Sequence, residues 1–409
     1  MLHDPARHEP LGTLAWDAER ARRAIEWIVR DAEARYAAGR WWPTHPRDLD
    51  PGEDPARVST TLYFGAAGVV WALRYLRAVG AIAQAAAAFD LDALRELNRA
   101  WLRADGHPEF GAYLMGDLPI ELMAWADAPS AARSDALAAL LESSLDHPAR
   151  ELMWGSPGAL LATAFVHERA PHPRWQALYR RLATRLEEQL QWSDAHACHY
   201  WEQELYGHRS SYLDGVHGFV ATALALIRGR HLLEAGVWPV WQQRIAGTIA
   251  RTATWDAGRA NWRTQLDEPP GRPPRMLMQF CHGAPGFVVC LGDFPGTELD
   301  GLLRAAGEAV WAAGPLTKGA NLCHGTAGNG YAFLKLHERT GDPRWLARAR
   351  AFAMHAIAQA EADAARHGQL RYSLWTGDLG LAVYLWDCLR GRSAFPTLDV
   401  FFGRPDGAR

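Results

Sequence analysis

Short, almost wholly apolar runs recur along this chain, separated by longer segments in which charges surround a single apolar stripe. VVWALRYL begins at Val69, ALLATAFV at Ala159, FVATALALI at Phe219 and YAFLKLH at Tyr331. Helices apolar on most faces are buried ones. The stretch from Asp17 to Gly39 instead carries Ala21, Ala24, Ile25 and Ile28 on one stripe, with charged residues around it and Gly39 as a stop. Such a segment is an outer helix with one face turned inward. Strand signals are scarce.

A glycine phrase precedes each apolar run: Gly65 to Gly68, Gly116 to Pro119, Gly155 to Gly158, Gly215 to Gly218, Gly283 to Gly286, Gly325 to Gly328 and Gly377 to Gly380. The first glycines lie 39 to 68 residues apart, enough each time for two helices and their loops. A unit repeated at about this period signifies a solenoid or a closed array. Exposed and buried helices alternating seven times fold most simply into an all-α, double-layered (α/α)7 toroid, with seven inner and seven outer helices. Inner-helix N-termini would then meet at one mouth, where glycine lets backbones approach and positive helix ends favour anions and thiolates. The five phrases without cysteine read as helix-opening turns.

Length and composition fit a single domain over 1–409, since 49% hydrophobic content supplies a large core and no linker divides it. The longest irregular stretch, Asp256 to Met278, holds Pro269, Pro270, Pro273 and Pro274 and reads as a flap or connection near the mouth. Charge is nearly balanced, 43 basic residues against 46 acidic, so no global field recruits nucleic acid or anionic lipid. The N-terminus has no apolar signal core, and the uncharged, mainly apolar run from Ala78 to Phe89 is too short to cross a bilayer. A cytoplasmic protein with no membrane span is expected. Five widely spread cysteines make no disulfide framework. Cys198, Cys290 and Cys388 read as structural, with the Cys198 cluster, flanked by His196 and His199, a weak second metal candidate.

The densest chemistry is a phrase written twice, Cys281-His282-Gly283-Ala284-Pro285-Gly286 and Cys323-His324-Gly325-Thr326-Ala327-Gly328. Thiolate and imidazole are ligand types zinc prefers. A cysteine at a helix start is expected to have a lowered pKa, and the thiolate is the form that binds metal. The residues alone do not decide between His282 and His324 as the third ligand.

The strings ELMWGSPG, YLDGVHG, FCHGAPG, KGANLCHGTAGNGYAFL and YSLWTGDLG, in this order, resemble the lanthionine synthetase C-like family over essentially the whole chain. The resemblance is nearer the glutathione-adding branch than the dedicated cyclases. His282 stands where cyclases more often have Tyr, Lys318 lies five residues before Cys323, and Glu151-Leu-Met is similar to the same branch. What the resemblance implies is one Zn2+ per chain held by Cys281, Cys323 and His324, with a fourth position open and His282 lining the cavity. It further implies addition of a thiol to dehydroalanine or dehydrobutyrine in a peptide or protein. His217 would return the proton to the α-carbon, and Glu151 would orient it or accept the thiol's proton. Lys318 and Arg371 would hold glutathione's carboxylates. Alternatives are a lanthionine-forming cyclase using the substrate's own Cys thiol, and a zinc-binding partner scaffold without turnover. Phe280, Pro119, Asp214 and Tyr212 depart from the family pattern and bear on substrate choice.

Overall fold

The computed structural model describes residues 1–49, 51–54, 57–83, 88–107, 110–267, 271 and 275–403. Among the described residues fourteen α-helices alternate between two layers. The outer ones are α1 (Ala18–Arg35), α3 (Leu91–Ala104), α5 (Ala131–Glu142), α7 (Pro173–Glu188), α9 (Val237–Thr252), α11 (Asp300–Ala313) and α13 (Pro343–His367). The inner ones are α2 (Ala66–Ala78), α4 (Leu118–Asp127), α6 (Ser156–Arg169), α8 (Phe219–Arg228), α10 (Ala284–Leu291), α12 (Thr326–Thr340) and α14 (Asp378–Arg390). Helix α14 packs against α2 and α1 lies behind α14, so the ring closes on itself. This is the expected toroid. Every residue of α10 is buried, whereas α1 buries only a stripe that includes Ala21, Ala24, Ile25 and Ile28.

Each inner helix is entered through a tight turn, and the turns are joined to one another. The Tyr63 N–H donates to the Leu114 carbonyl (3.1 Å), the Leu114 N–H to Met153 (3.1 Å) and the Leu152 N–H to Val216 (3.3 Å). On the other side Cys281 donates to Cys323 (3.0 Å), Cys323 to Trp375 (2.9 Å) and Trp375 back to Tyr63 (3.1 Å). Between these two arcs the backbone of Gly215 lies against Phe280 and Gly286. The glycines serve this geometry. A Cβ on Gly328 would run into the Leu322 carbonyl of its own turn and then Phe280 of the neighbouring one, while Gly283 sits at φ +110°, where L side chains are strained. The fourth phrase has a shifted register: the residue capping α8 is Gly218, so Gly218 and not Gly215 is equivalent to Gly65, Gly155 and Gly325.

The chain's last described segment fills the bore from the far end. Phe395 stacks on Phe280 (centroids 4.6 Å apart) and packs against Trp375 and Tyr331. Thr397 accepts from the Tyr113 hydroxyl through its carbonyl (2.6 Å) and from the Trp375 indole through its own hydroxyl (3.2 Å). The Lys335 ammonium, 3% exposed, lies 3.0 Å from both Asp293 and Asp399, so the buried charge is paired.

Scarce strand signals hide three two-stranded antiparallel ribbons among the described residues: β1 (Gln191–Ser193) with β2 (Cys198–Tyr200), β3 (Gln203–Leu205) with β4 (His208–Ser210), and β5 (Ala253–Asp256) with β6 (Arg259–Trp262). The stretch expected to be irregular from Asp256 therefore starts inside a hairpin. That hairpin is anchored by Trp262, fully buried and stacked on Phe287 at 4.0 Å. The four prolines that marked the stretch lie outside the described residues. No described helix is long and apolar enough to cross a membrane.

Phe395 is fully buried. Replacing it by Ala is expected to cost ~3–5 kcal/mol of unfolding free energy, the range for a large aromatic removed from a close-packed core. Urea unfolding measures this, and a loss under 1 kcal/mol would mean that the bore is not packed as described.

Candidate active site

The turns before α10 and α12 are neighbours in the ring, and this alone brings residues 42 positions apart together. One ligand atom each from Cys281, Cys323 and His324 lies within 4.8 Å of the other two. Both thiols are buried, at 8% and 1% exposure. Gln279 donates its side-chain amide to the Cys281 sulfur (2.9 Å) and Tyr63 its hydroxyl to the Cys323 sulfur (2.8 Å). Burial, then Cys323 and Cys281, push the Tyr63 phenol up, so it remains a donor.

The helix-start argument predicted a lowered thiol pKa, but burial pushes Cys281 the other way, and the Cys323 sulfur adds to that. Two adjacent buried sulfurs with donors already aimed at them are a poor home for two thiolates without a cation. With one they are well suited, and soft sulfur with imidazole is a donor set that fits zinc. The structure brings the candidate ligands of the implied metal together.

His282 follows Cys281 in sequence but turns away from this cluster. Its Nδ1 is 2.7 Å from Oδ2 of Asp214, which is fully buried and also accepts the Val216 and His217 main-chain N–H groups at 3.1 and 2.8 Å. Burial disfavours the His282 charge, but Asp214 and then Cys281 outweigh it and raise the pKa. His217 is held in a matching way, with Nδ1 2.8 Å from Oε2 of the fully buried Glu151. The Glu151 carboxylate is itself fixed by the Met153 and Trp154 main-chain N–H groups (2.9 and 2.6 Å). Burial lowers the His217 pKa, but Glu151, followed by Asp214 and Cys281, more than offsets this and pushes it up to about 8. The Tyr212 ring lies 5.9 Å from His217 and 6.2 Å from His282.

The two cations expected at the rim are placed differently. Lys318 is exposed on the loop leading to Cys323. Arg371 is largely buried and grips Asp48 with two nitrogens, Nε at 2.7 Å. Asp48 lines a cavity of about 430 Å3 over His324, walled by Phe64, Trp101, Trp154 and Tyr206. These aromatic residues, with Tyr63 and Gln279, escaped the sequence reading. A signal for two of them existed: Tyr63 stands two residues before Gly65, as Cys281 and Cys323 stand two before Gly283 and Gly325, and Gln279 stands four before Gly283, as Glu151 does before Gly155. Cys198, His196 and His199 do not form a ligand cluster among the described residues. Cys198 and His199 are adjacent on β2, where successive side chains face opposite ways, and His196 pairs with Asp267 at 3.0 Å.

The family model described as lanthionine synthetase C-like protein matches residues 56–400. Glutathione S-transferase LANCL1 of Danio rerio is 37% identical over 134 residues, 31% of this chain and 32% of that protein. LanC-like protein GCL1 of Arabidopsis thaliana is 39% identical over 141 residues, 32% of each. The match spans about a third of the length of these curated relatives. Among solved structures, nisin cyclase is similar with a TM-score of 0.56 over 92% of this chain and 99% of its own, at 13% identity, which is a likeness of fold.

The donor set is expected to hold about one zinc per chain. Cys281→Ala, Cys323→Ala and His324→Ala should each lose it. His282→Ala should retain most of it, and Tyr63→Phe should weaken binding by about 10–100-fold, as for a group that orients a ligand. Metal analysis of the purified variants measures this. Full zinc in Cys323→Ala would remove the centre.

Proposed function

We propose that this chain, which belongs to the lanthionine synthetase C-like family, adds a thiol, glutathione by preference, to the β-carbon of dehydroalanine or dehydrobutyrine residues in a peptide or protein. The observation that carries the reading is the pairing of two buried thiols and His324 within 4.8 Å with a carboxylate-anchored His217 on a nearby turn of the same mouth. Zinc held by Cys281, Cys323 and His324 would supply a position at which a thiol gives up its proton near neutral pH.

The remaining work falls to the chain's own side chains. As the sulfur–carbon bond forms, the alkene's electron pair moves toward the α-carbon and its carbonyl, and that carbon must then be protonated. His217, fixed through Nδ1 by Glu151, keeps Nε2 for this task. A pKa of about 8 leaves it mostly imidazolium at pH 7, so it is an acid rather than a base at that moment. Glu151 is then an orienting group. The aromatic walls of the cavity give a peptide backbone apolar surface to lie on. For glutathione's carboxylates, exposed Lys318 is the cation able to respond directly, whereas Arg371 would have to exchange Asp48 for the ligand. The cyclase reading uses the same residues with a Cys thiol from the substrate itself.

Mass spectrometry of a dehydroalanine peptide incubated with protein and glutathione tests the proposal. A gain of one glutathione mass is expected. A ring closed without mass change in a Cys-containing peptide would favour the cyclase, and no reaction with either would favour the scaffold.

His217→Asn should keep zinc and slow product formation by roughly a hundredfold or more, the scale of a positioned acid. If the imidazolium is the acid, rate should fall as pH rises through about 8. Removing the Glu151 charge in Glu151→Gln lowers the His217 pKa, so this limb should move to lower pH. A limb that stays in place would assign it to another group.

Lys318→Ala should raise KM for glutathione by about tenfold or more, since charge-assisted hydrogen bonds contribute on the order of 1–3 kcal/mol, and should barely affect a small uncharged thiol. Equal losses with both thiols would place Lys318 in support of the loop.

A further inference from the structure

A second set of metal-ligating side chains lies away from the paired cysteines. One ligand atom each from His45, Asp363 and His367 falls within 4.8 Å of the other two. Asp363 and His367 are one helical turn apart near the end of α13, a spacing that puts two ligands on one face. His45 comes from the opposite end of the chain, where it caps the 3-10 helix Pro46–Asp48, and its ring meets that of His367 edge-on at 4.7 Å.

His45 is 2% exposed and its Nε2 has no hydrogen-bond partner. Such an orphaned buried nitrogen calls for a ligand or a cost. Burial, followed by Arg371, holds its pKa down to about 4, leaving the neutral ring that metals bind.

We propose that His45, Asp363 and His367 bind a second divalent transition-metal ion, of the zinc class, through two imidazole nitrogens and one carboxylate oxygen. Neighbouring groups set the terms. The Arg47 main-chain N–H lies 3.2 Å from Nδ1 of His45 and the Arg47 guanidinium 3.1 Å from Oδ1 of Asp363. Ligation through Nε2 leaves the ring proton on Nδ1, so the long contact from the Arg47 N–H is the one that must open. The Asp363 contacts to Arg47 and His367 both fall on Oδ1, which leaves Oδ2 for the ion. With one carboxylate ligand, two guanidinium groups nearby and Asp48 committed to Arg371, affinity should be well below that of the Cys2His centre. The ion would tie the segment around His45 to α13. Asp48, three residues on, pairs with Arg371 and lines the cavity over His324, so the ion would brace a wall of that cavity.

Cobalt(II) titration of the zinc-loaded protein tests this, because thiolate ligation gives intense near-ultraviolet charge-transfer absorption and nitrogen–oxygen ligation does not. One further equivalent is expected, seen as weak visible bands without the thiolate feature. His367→Ala and Asp363→Asn, both at the partly exposed end of α13, should each lose it while keeping the original zinc. Wild-type melting temperature should also rise on adding zinc beyond the first equivalent, as binding to the folded state requires, and this rise should vanish in both variants. No uptake at millimolar cobalt, uptake that survives both substitutions, or uptake only with the thiolate band would each overturn the proposal.

Discussion

Backbone hydrogen bonds that link helix-opening turns side by side around the mouth are the constraint on which the rest of this molecule depends. Tyr63, Leu114, Cys281, Cys323 and Trp375 all donate to or accept from a neighbouring turn, and each stands two residues before its inner-helix glycine. Because the linkage is main chain to main chain, it fixes the position of every turn almost regardless of side chain. A turn can then carry Tyr, Leu, Trp or Cys at this position without moving its neighbours. Putting Cys at two adjacent turns, with a His beside the second, is enough to create a ligand cluster.

A second layer of order comes from the residue four places before the glycine. Glu151, Asp214 and Asn321 each accept main-chain N–H groups of their own turn, closing donors that would otherwise be buried without partners. Where this residue is a carboxylate, it has acceptor capacity left over. Glu151 uses it for His217 and Asp214 for His282. The same group that folds the turn thus orients an imidazole at the mouth and holds its charge. This explains why two fully buried carboxylates are tolerated: each is saturated by donors.

Behind the mouth the bore is filled by aromatic packing. Phe395, delivered by the C-terminal segment, stacks on Phe280, whose next residue is Cys281. The cysteine turn is therefore held in front by hydrogen bonds and behind by a close-packed ring stack. Rigid support on both sides suits a metal centre, because it holds the ligand side chains near the geometry the ion needs.

The repeat, the alternation of buried and amphipathic helices, the closed toroid and the pair of Cys-His phrases were legible along the chain. These are local properties: helix burial follows from composition within one run, and the helix-opening turns depend on glycine at fixed places. Tertiary structure alone decided matters that depend on which turn lies beside which. It tied His282 to Asp214, committed Arg371 to Asp48, and moved the cap of the fourth inner helix to Gly218. It also gathered Phe64, Trp101, Trp154 and Tyr206 into one cavity and brought His45 to α13. Side chains from four separate turns or arms meet there only because the ring closes, and no spacing along the chain records that meeting.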